Sequence, residues 1–365
     1  MSNLNCSQFG VCGGCPWGGR PLADQQMQKL AELQDIHPQV GFTYTPVDQV
    51  RDKADLVWQN VDGKMRLGLY GLSNRDVIDL EACPMMTPAL DSFYRKFREQ
   101  APPINKGSVR LRVSPDGDWG VWLDFANEDV KTLFEEKNYL RFLSEMAFVE
   151  IGQRRKALYW KDGQPKLIDP VLKPWFQTYD AKFDPIPLYG PVGGFSQTGF
   201  KANEALIQAL HKAVNQVGIQ AWVDLFSGNG NFTLAMASRG YAVEAVELDP
   251  LAVEGLQMSL DQCIFDWKHK VSIKKGDIYL KSEELPSFKG KGLIVDPPRA
   301  GLRQLLEVMQ IGAMPEAIAY VSCHTESFIK DAERLKLMGF KLQSLQGVDQ
   351  FPQSPHCEWV GLFTL

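Results

Sequence analysis

From Ala221 to the C-terminus the sequence alternates short apolar runs with helix-length segments. That alternation limits this part of the chain to a mostly parallel sheet covered on both faces. Strands are expected at 221–226, 243–248, 271–275, 292–296, 317–322, 340–347 and 358–364, with helices in intervals such as Pro250–Cys263 and Glu326–Met338. The last two runs leave no room for a helix between them and should form a hairpin. An open α/β sheet holds its ligands at the carboxyl ends of its strands. The residues standing there are the first candidates for function.

The rest of the chain has a different rhythm. Residues 180–194 carry Pro185, Pro187, Pro191, Gly190, Gly193 and Gly194, which read as a linker. Upstream, from about Val57 to Ile168, strand-like stretches dominate. Val109–Val113 and Trp119–Phe125 flank the turn Ser114-Pro-Asp-Gly-Asp118 and predict a hairpin. Helices fit Pro88–Gln100 and Glu128–Glu136, and a further helix over 23–35 would present Met27, Leu30 and Leu33 on one face. Residues 1–20 form a Gly-rich knuckle with Cys6, Cys12 and Cys15. The expected division is a Cys-rich segment with a helix (1–50), a β-rich lobe (51–185) and an α/β domain (186–365).

Composition narrows the class. At 365 residues with 44% apolar and 23% charged residues, the chain is long enough for two domains with a sizeable core. It has no apolar run of membrane-spanning length and no basic-then-apolar N-terminal signal, so a cytoplasmic protein without a membrane partner is expected. The net charge of −5 excludes a uniformly basic nucleic-acid surface. Any phosphate contact must be local, at Arg154–Lys156, Lys268–Lys275 or Lys289–Lys291, which could equally be solvated surface charge. Seven cysteines in such a chain argue against a disulfide framework.

The run Asp224-Leu-Phe-Ser-Gly-Asn-Gly-Asn-Phe232 ends a buried strand and opens a helix. Gly228 and Gly230 would let the backbone approach a ligand. No third glycine is present for a dinucleotide pyrophosphate. Glu247 ends the next strand, where an acid suits ribose hydroxyls, and Asp277 ends the third, where it could accept from an adenine amino group. The set resembles the S-adenosylmethionine pocket of class I methyltransferases; turn glycines and helix-capping acids of a generic doubly wound sheet are the plainer reading.

Three further residues supply chemistry. Asp296-Pro-Pro-Arg299 follows the fourth strand, and its prolines fix the backbone. Cys323 ends the next strand, and Glu358 lies near the C-terminus. Carbon 5 of uracil is a poor nucleophile. A thiolate added at carbon 6 turns the ring into an enolate that can attack a methyl sulfonium. The thiol then needs a lowered pKa or a neighbouring base, and a carboxylate must remove the carbon-5 proton before the thiol leaves. A buried cysteine acting as a small hydrophobe is the commoner fate of such a residue.

Asp224–Phe232, Asp296-Pro-Pro-Arg-Ala-Gly301, Tyr320-Val-Ser-Cys323 and Asp349-Gln-Phe-Pro-Gln-Ser-Pro-His-Cys-Glu358 together resemble the successive motifs of the RNA uridine-5-methyltransferases, which make 5-methyluridine in ribosomal and transfer RNA. The resemblance implies an α/β fold: a C-terminal class I, Rossmann-like methyltransferase domain with a β-rich α+β N-terminal lobe. It implies Cys323 as nucleophile, Glu358 as base and Asp296 on the uracil edge. It implies S-adenosylmethionine as cofactor, held by Gln197, Phe226, Gly228, Gly230, Glu247, Asp277 and Asp296. Gln197, Arg51, Lys53, Arg299 and His324 would contact RNA. The chain has His324 where the family has Asn after the nucleophile, and Gly199 where it has Asn two residues beyond the glutamine.

Cys6, Cys12 and Cys15, with Cys83 in Cys83-Pro84, offer four thiolates, suited to zinc or to an iron–sulfur cluster. The triplet-plus-one spacing resembles the [4Fe-4S] site of the ribosomal-RNA branch of the family. The resemblance therefore points to 23S ribosomal RNA as partner, with transfer RNA second, and a monomer is favoured. Rival readings are exocyclic-amine methylation through Asp296-Pro297-Pro298, a non-catalytic RNA-binding relative, and an iron–sulfur sensor.

Overall fold

The computed structural model describes residues 4–34, 36–46, 48–73, 75–125, 130–263, 266–277, 285–303, 305–311 and 314–365. In chain order its elements are α1 (Leu22–Ala31), β1 (Val40–Tyr44), β2 (Lys53–Val61), β3 (Lys64–Tyr70), β4 (Val77–Asp79), α2 (Pro88–Phe97), β5 (Lys106–Val113), β6 (Trp119–Asp124), α3 (Val130–Glu135), α4 (Lys137–Met146), β7 (Phe148–Ile151), β8 (Lys156–Lys161), β9 (Gln164–Ile168), β10 (Lys173–Tyr179), β11 (Pro185–Gly190), α5 (Phe200–Val214), β12 (Ala221–Leu225), α6 (Asn231–Ser238), β13 (Ala242–Glu247), α7 (Pro250–Gln262), β14 (Val271–Lys275), β15 (Gly292–Val295), α8 (Leu305–Ile311), β16 (Ala317–Ser322), α9 (Thr325–Leu337), β17 (Lys341–Asp349) and β18 (Glu358–Thr364). The chain forms two compact units, one of residues 1–21, 46–176 and 190–199, the other of residues 22–45, 177–189 and 200–365.

The larger unit is built on an eight-stranded sheet in the order β1-β17-β18-β16-β15-β12-β13-β14. The strands β12 to β16 pair in parallel, and β18 lies antiparallel between β16 and β17. The expected C-terminal hairpin is therefore present. Every residue of β15 and β16 is buried, as are most of β12 and β18. Covered on both faces, such strands read as continuous apolar runs. One core cluster includes Leu225, Val295, Tyr320 and Phe328, and a second includes Leu210, Trp222, Ile294 and Val321. Asp249 caps α7 by accepting from the Leu251 amide at 3.1 Å, and Pro250 opens the helix.

The smaller unit holds a second eight-stranded sheet, β4-β3-β2-β5-β6-β7-β8-β9, antiparallel except for the β6–β7 pair. The expected β5–β6 hairpin closes through Ser114 N–H to Asp118 O at 2.8 Å, with Gly117 at φ 88°. Helix α2 lays Leu90, Phe93, Tyr94 and Phe97 into its core, the spacing of a single helix face. The helix expected over Glu128–Glu136 is seen as α3, and Glu128 lies outside the described residues.

The division differs from the expected one. Residues 1–50 are not one segment: the Cys-rich knuckle belongs to the smaller unit, and α1 with β1 to the larger. The reason is a long-range pairing, in which β1 runs parallel to β17 from Val40↔Leu345 to Tyr44↔Asp349. The chain also enters the larger unit at 177, leaves it at 190 and returns at 200, rather than crossing once near 186. No described helix is long and apolar enough to cross a membrane.

Candidate active site

The cradle forms where β12 ends. Phe226 has φ 64°, an uncommon value for a residue with a side chain, and Gly228 and Gly230 follow at φ 55° and 95°. Gly230 precedes α6, and a Cβ placed on it would lie 2.3 Å from Leu256 Cδ1, so glycine is required there for packing as well as conformation. Asn203 and Asn231 exchange side-chain hydrogen bonds of 2.8 Å, and the Thr178 hydroxyl donates to Asn231 O at 2.7 Å. These bonds fix the start of α6, and a helix start is a favourable place for an electron-rich ligand.

Glu247, at the end of β13, accepts from Gly228 N through Oε2 and from Leu248 N and Asp249 N through Oε1, all at 2.8 Å. The acid thus ties the glycine loop to its own strand end, and its remaining lone pairs stay available. Asp277 stands beside it, because β14 pairs in parallel with β13 and the Gly276 amide donates to Glu247 O at 3.0 Å. The three expected cofactor positions of the sheet are therefore adjacent.

Sequence reading passed over Asp224. It is fully buried, accepts from the Thr233 hydroxyl at 2.6 Å, and has no partner for its other oxygen, Oδ1, among the described residues. Burial pushes its carboxyl up to about 7. Its place opening the glycine loop was the available signal.

Asp296, Cys323 and Glu358 come from the ends of the neighbouring strands β15, β16 and β18. Burial, then the Glu358 charge, holds the Asp296 carboxyl well above the usual carboxylate range. Glu358 is 3% exposed and burial raises it to about 7, opposed by a hydrogen bond from Gln350 and by Arg299. Its Oε2 has no partner among the described residues. Two carboxyl groups sharing one site cannot both ionise freely. Cys323 is half-buried, and burial with the two neighbouring acids pushes its thiol up to about 11, against the pull of Arg299. The thiol is therefore stored protonated, and of the two expected routes to a nucleophile the one left is a neighbouring base; burial and two carboxyl groups outweigh one exposed arginine.

His324 caps α9. Its Nδ1 accepts from the Ser327 amide at 3.3 Å. That bond leaves the proton of the neutral ring on Nε2, which can donate.

The segment leading to Glu358 is held by residues that sequence reading missed. Lys29 Nζ lies 2.7 Å from Asp349 Oδ1 and 3.2 Å from Phe351 O. Gln25 and Gln353 are joined twice, at 3.0 and 2.9 Å. Helix α1 therefore buries Gln25 and Lys29, while Met27, expected on its inner face, is 63% exposed.

A family model described as tRNA (Uracil-5-)-methyltransferase matches residues 191–364. An uncharacterized RNA methyltransferase of Bdellovibrio bacteriovorus is 34% identical over 99% of this chain and 95% of the relative. The chain belongs to the RNA (uracil-5-)methyltransferase family. The 23S rRNA (uracil(1939)-C(5))-methyltransferase RlmD of Shewanella denitrificans is 26% identical, covering 100% of this chain and 83% of that one. The fold is shared with Pyrococcus abyssi tRNA (uracil-54, C5)-methyltransferase in complex with S-adenosyl-L-homocysteine, at TM-score 0.67 and 19% identity over 96% of this chain and 86% of the other.

Within the smaller unit, this member of the RNA uracil-5-methyltransferases places other expected residues as follows. Gln197 is buried. At Gly199, where the resemblance expects Asn, a Cβ would come within 1.8 Å of Val50 O. Arg51 and Lys53, expected as RNA-facing cations, turn to groups of their own unit: Lys53 Nζ donates to Ser196 O at 2.8 Å, and Arg51 lines a small cavity. That cavity is also lined by Cys6, Cys12, Cys15 and Cys83. Yet no group of three or more His, Cys, Asp or Glu among the described residues is arranged to hold a metal ion. Burial raises the thiols of Cys12, Cys15 and Cys83, and the Arg51 charge lowers each of them. Arg51 Nε is buried without a partner among the described residues.

Proposed function

We propose that this enzyme methylates carbon 5 of a uridine in 23S ribosomal RNA through a covalent adduct on Cys323. The observation that carries the reading is that Asp296, Cys323 and Glu358 stand together at the ends of β15, β16 and β18, with burial raising both carboxyl groups. A protonated Asp296 presents one donor and one acceptor, complementary to a uracil carbonyl and its adjacent N3–H. The Cys323 sulfur bonds to carbon 6 as its proton passes to the Glu358 carboxylate, which gives it up to solvent before the later step, and electron density moves to carbon 5. Bound S-adenosylmethionine, held on the cradle of Gly228, Gly230, Glu247 and Asp277, supplies an electrophilic methyl group. Glu358 then accepts the carbon-5 proton, and the sulfur leaves carbon 6 as the double bond reforms. The target base must first leave its stack. Arg299, exposed beside this site, and the Nε2–H of His324 are the polar groups offered to the RNA. Names of relatives such as RlmD favour the ribosomal over the transfer RNA substrate.

The four-cysteine cavity fits a [4Fe-4S] cluster better than four isolated thiols. An anionic thiolate set would give the buried Arg51 Nε its missing counter-charge, and the Gly14 amide already donates to Cys12 Sγ at 3.4 Å. Cys6, Cys12, Cys15 and Cys83 would be its ligands, and closing on iron requires their side chains to draw together. The chemistry at Cys323 does not pass through it.

Methyl transfer to carbon 5 replaces the hydrogen on that carbon. Incubating the enzyme and S-adenosylmethionine with ribosomal RNA tritiated at uracil carbon 5 should release tritium to water in step with methyl incorporation. Methyl incorporation without tritium release would point to an exocyclic amine instead.

A further inference from the structure

A second cavity lies in the smaller unit, apart from the cysteine cavity. It measures about 420 Å³, within the roughly 300–1,000 Å³ typical of ligand sites. Aromatic side chains line it: Trp119, Phe148, Tyr159, Trp160 and Trp175. Soluble proteins normally bury rings of this size, but Phe148 and Tyr159 are 43% and 50% exposed. Trp175 is 2% exposed, and its indole N–H has no acceptor among the described residues. A buried donor left unpaired is costly, and a ligand carbonyl would satisfy it.

The lining itself carries three acids, Asp118, Glu145 and Glu150, while the stretch of chain that supplies most of it is rich in cations. Residues 137–175 contain eight Lys and Arg against four Asp and Glu, in a protein of net charge −5. The cations are interleaved with the rings: Lys173 Nζ stands 3.2 Å from the Phe148 ring centre, and the Arg141 guanidinium 5.4 Å from that of Trp160. Arg154, Lys161 and Lys166 are exposed nearby in sequence. Of the three acids in the lining, Glu150 is committed to the Val192 and Gly193 amides at 2.8 Å, Asp118 lies 3.8 Å from Lys173, and Glu145 is exposed to solvent. Exposed rings set among cations suit a planar base linked to a phosphate, and neither a peptide nor an acyl chain calls for both.

We propose that this cavity takes an unstacked nucleotide of the RNA, distinct from the target uridine, with Phe148 and Tyr159 as stacking platforms and the Trp175 N–H directed to a base carbonyl. The proposal rests on RNA being the substrate, but not on the chemistry at Cys323. A fluorescent single-stranded RNA of adenosine and cytidine only, which offers no uridine to methylate, is titrated with the full chain at several salt concentrations. Tyr159→Ala and Phe148→Ala should each weaken binding about five- to a hundred-fold, with the salt slope unchanged. Tyr159→Phe should keep wild-type affinity, and Lys166→Ala should flatten the slope. A fully paired RNA duplex, whose bases are already stacked, should not distinguish the variants. Wild-type affinity in both alanine variants, or equal losses on single strand and duplex, would overturn the proposal. Tritium release by the wild type, measured separately, shows whether the RNA uridine reading itself stands.

Discussion

Lys29 Nζ and Asp349 Oδ1 meet at 2.7 Å with both side chains buried, joining α1 to the end of β17, 320 positions away in the chain. The hydroxyl of Thr45, the residue after the neighbouring β1, donates to Asp349 O at 2.6 Å. The segment that begins at Asp349 ends at Glu358, so this pair anchors the strap that carries the proposed base.

Removing one partner of a buried ion pair leaves an uncompensated charge and typically costs about 3–5 kcal/mol. Lys29→Met should therefore lower unfolding free energy by roughly that much, read by urea denaturation. Lys29→Met with Asp349→Leu should recover most of the loss, because no charge is left stranded. A single variant within about 1 kcal/mol of wild type, on the scale of an exposed pair, would contradict the anchoring role.

Glu358 gives a pH signature in two directions. Burial raises its carboxyl to about 7 in the folded state, against 4.5 as the ordinary value. The folded state therefore binds more protons than the unfolded chain between these values. Its contribution to stability is present below 4.5 and lost as pH rises through about 7. Glu358→Gln should raise the melting temperature at pH 8 relative to wild type, with little gain near pH 5. The same change should slow methyl transfer by about a hundred-fold or more. An unaltered melting temperature at pH 8 would argue that the carboxylate is better solvated than its surroundings indicate.

Gly199 predicts the cost of restoring the family's asparagine. With Val50 O only 1.8 Å from where a Cβ would sit, Gly199→Asn has to displace backbone. Destabilisation of about 1–3 kcal/mol or more is expected in thermal unfolding, and Gly199→Ala should suffer nearly as much. Equal stability of all three would show that the loop moves freely.

For the cysteine cavity, protein purified without oxygen should carry about four irons and four sulfides per chain. Cys15→Ser should lose them and lower the melting temperature, while methyl transfer per folded molecule is kept. Stoichiometric zinc with no sulfide would replace the cluster with a zinc site.

Strands buried on both faces announced themselves: β16 and β18 begin and end where the apolar runs do. The ends of β12, β13, β15 and β16 likewise delivered Gly228, Glu247, Asp296 and Cys323 to one edge of the sheet. What stayed hidden were partnerships formed across long stretches of chain. Nothing near Val40 signals its pairing with Leu345, so 1–50 read as one segment. Periodicity assigned Met27 to the inside of α1, but the strap offers Asp349, Phe351 O and Gln353, and the polar Gln25 and Lys29 took that face. Where Arg51 and Lys53 turn was not legible either: Lys53 Nζ reaches Ser196 O and Arg51 lines the cysteine cavity. The raised Cys323 thiol comes first from burial and then from Glu358 and Asp296 standing beside it, which no spacing in the sequence encodes.

The central claim is that Cys323 bonds to uracil, and a trapping experiment tests it directly. Ribosomal RNA carrying 5-fluorouridine is incubated with S-adenosylmethionine and either wild type or Cys323→Ala, then resolved on a denaturing gel. Fluorine cannot be removed as a proton, so the adduct should persist. The account predicts a slow-migrating protein–RNA band with wild type and none with the variant. A folded, cofactor-binding wild type that methylates RNA yet gives no such band would contradict it.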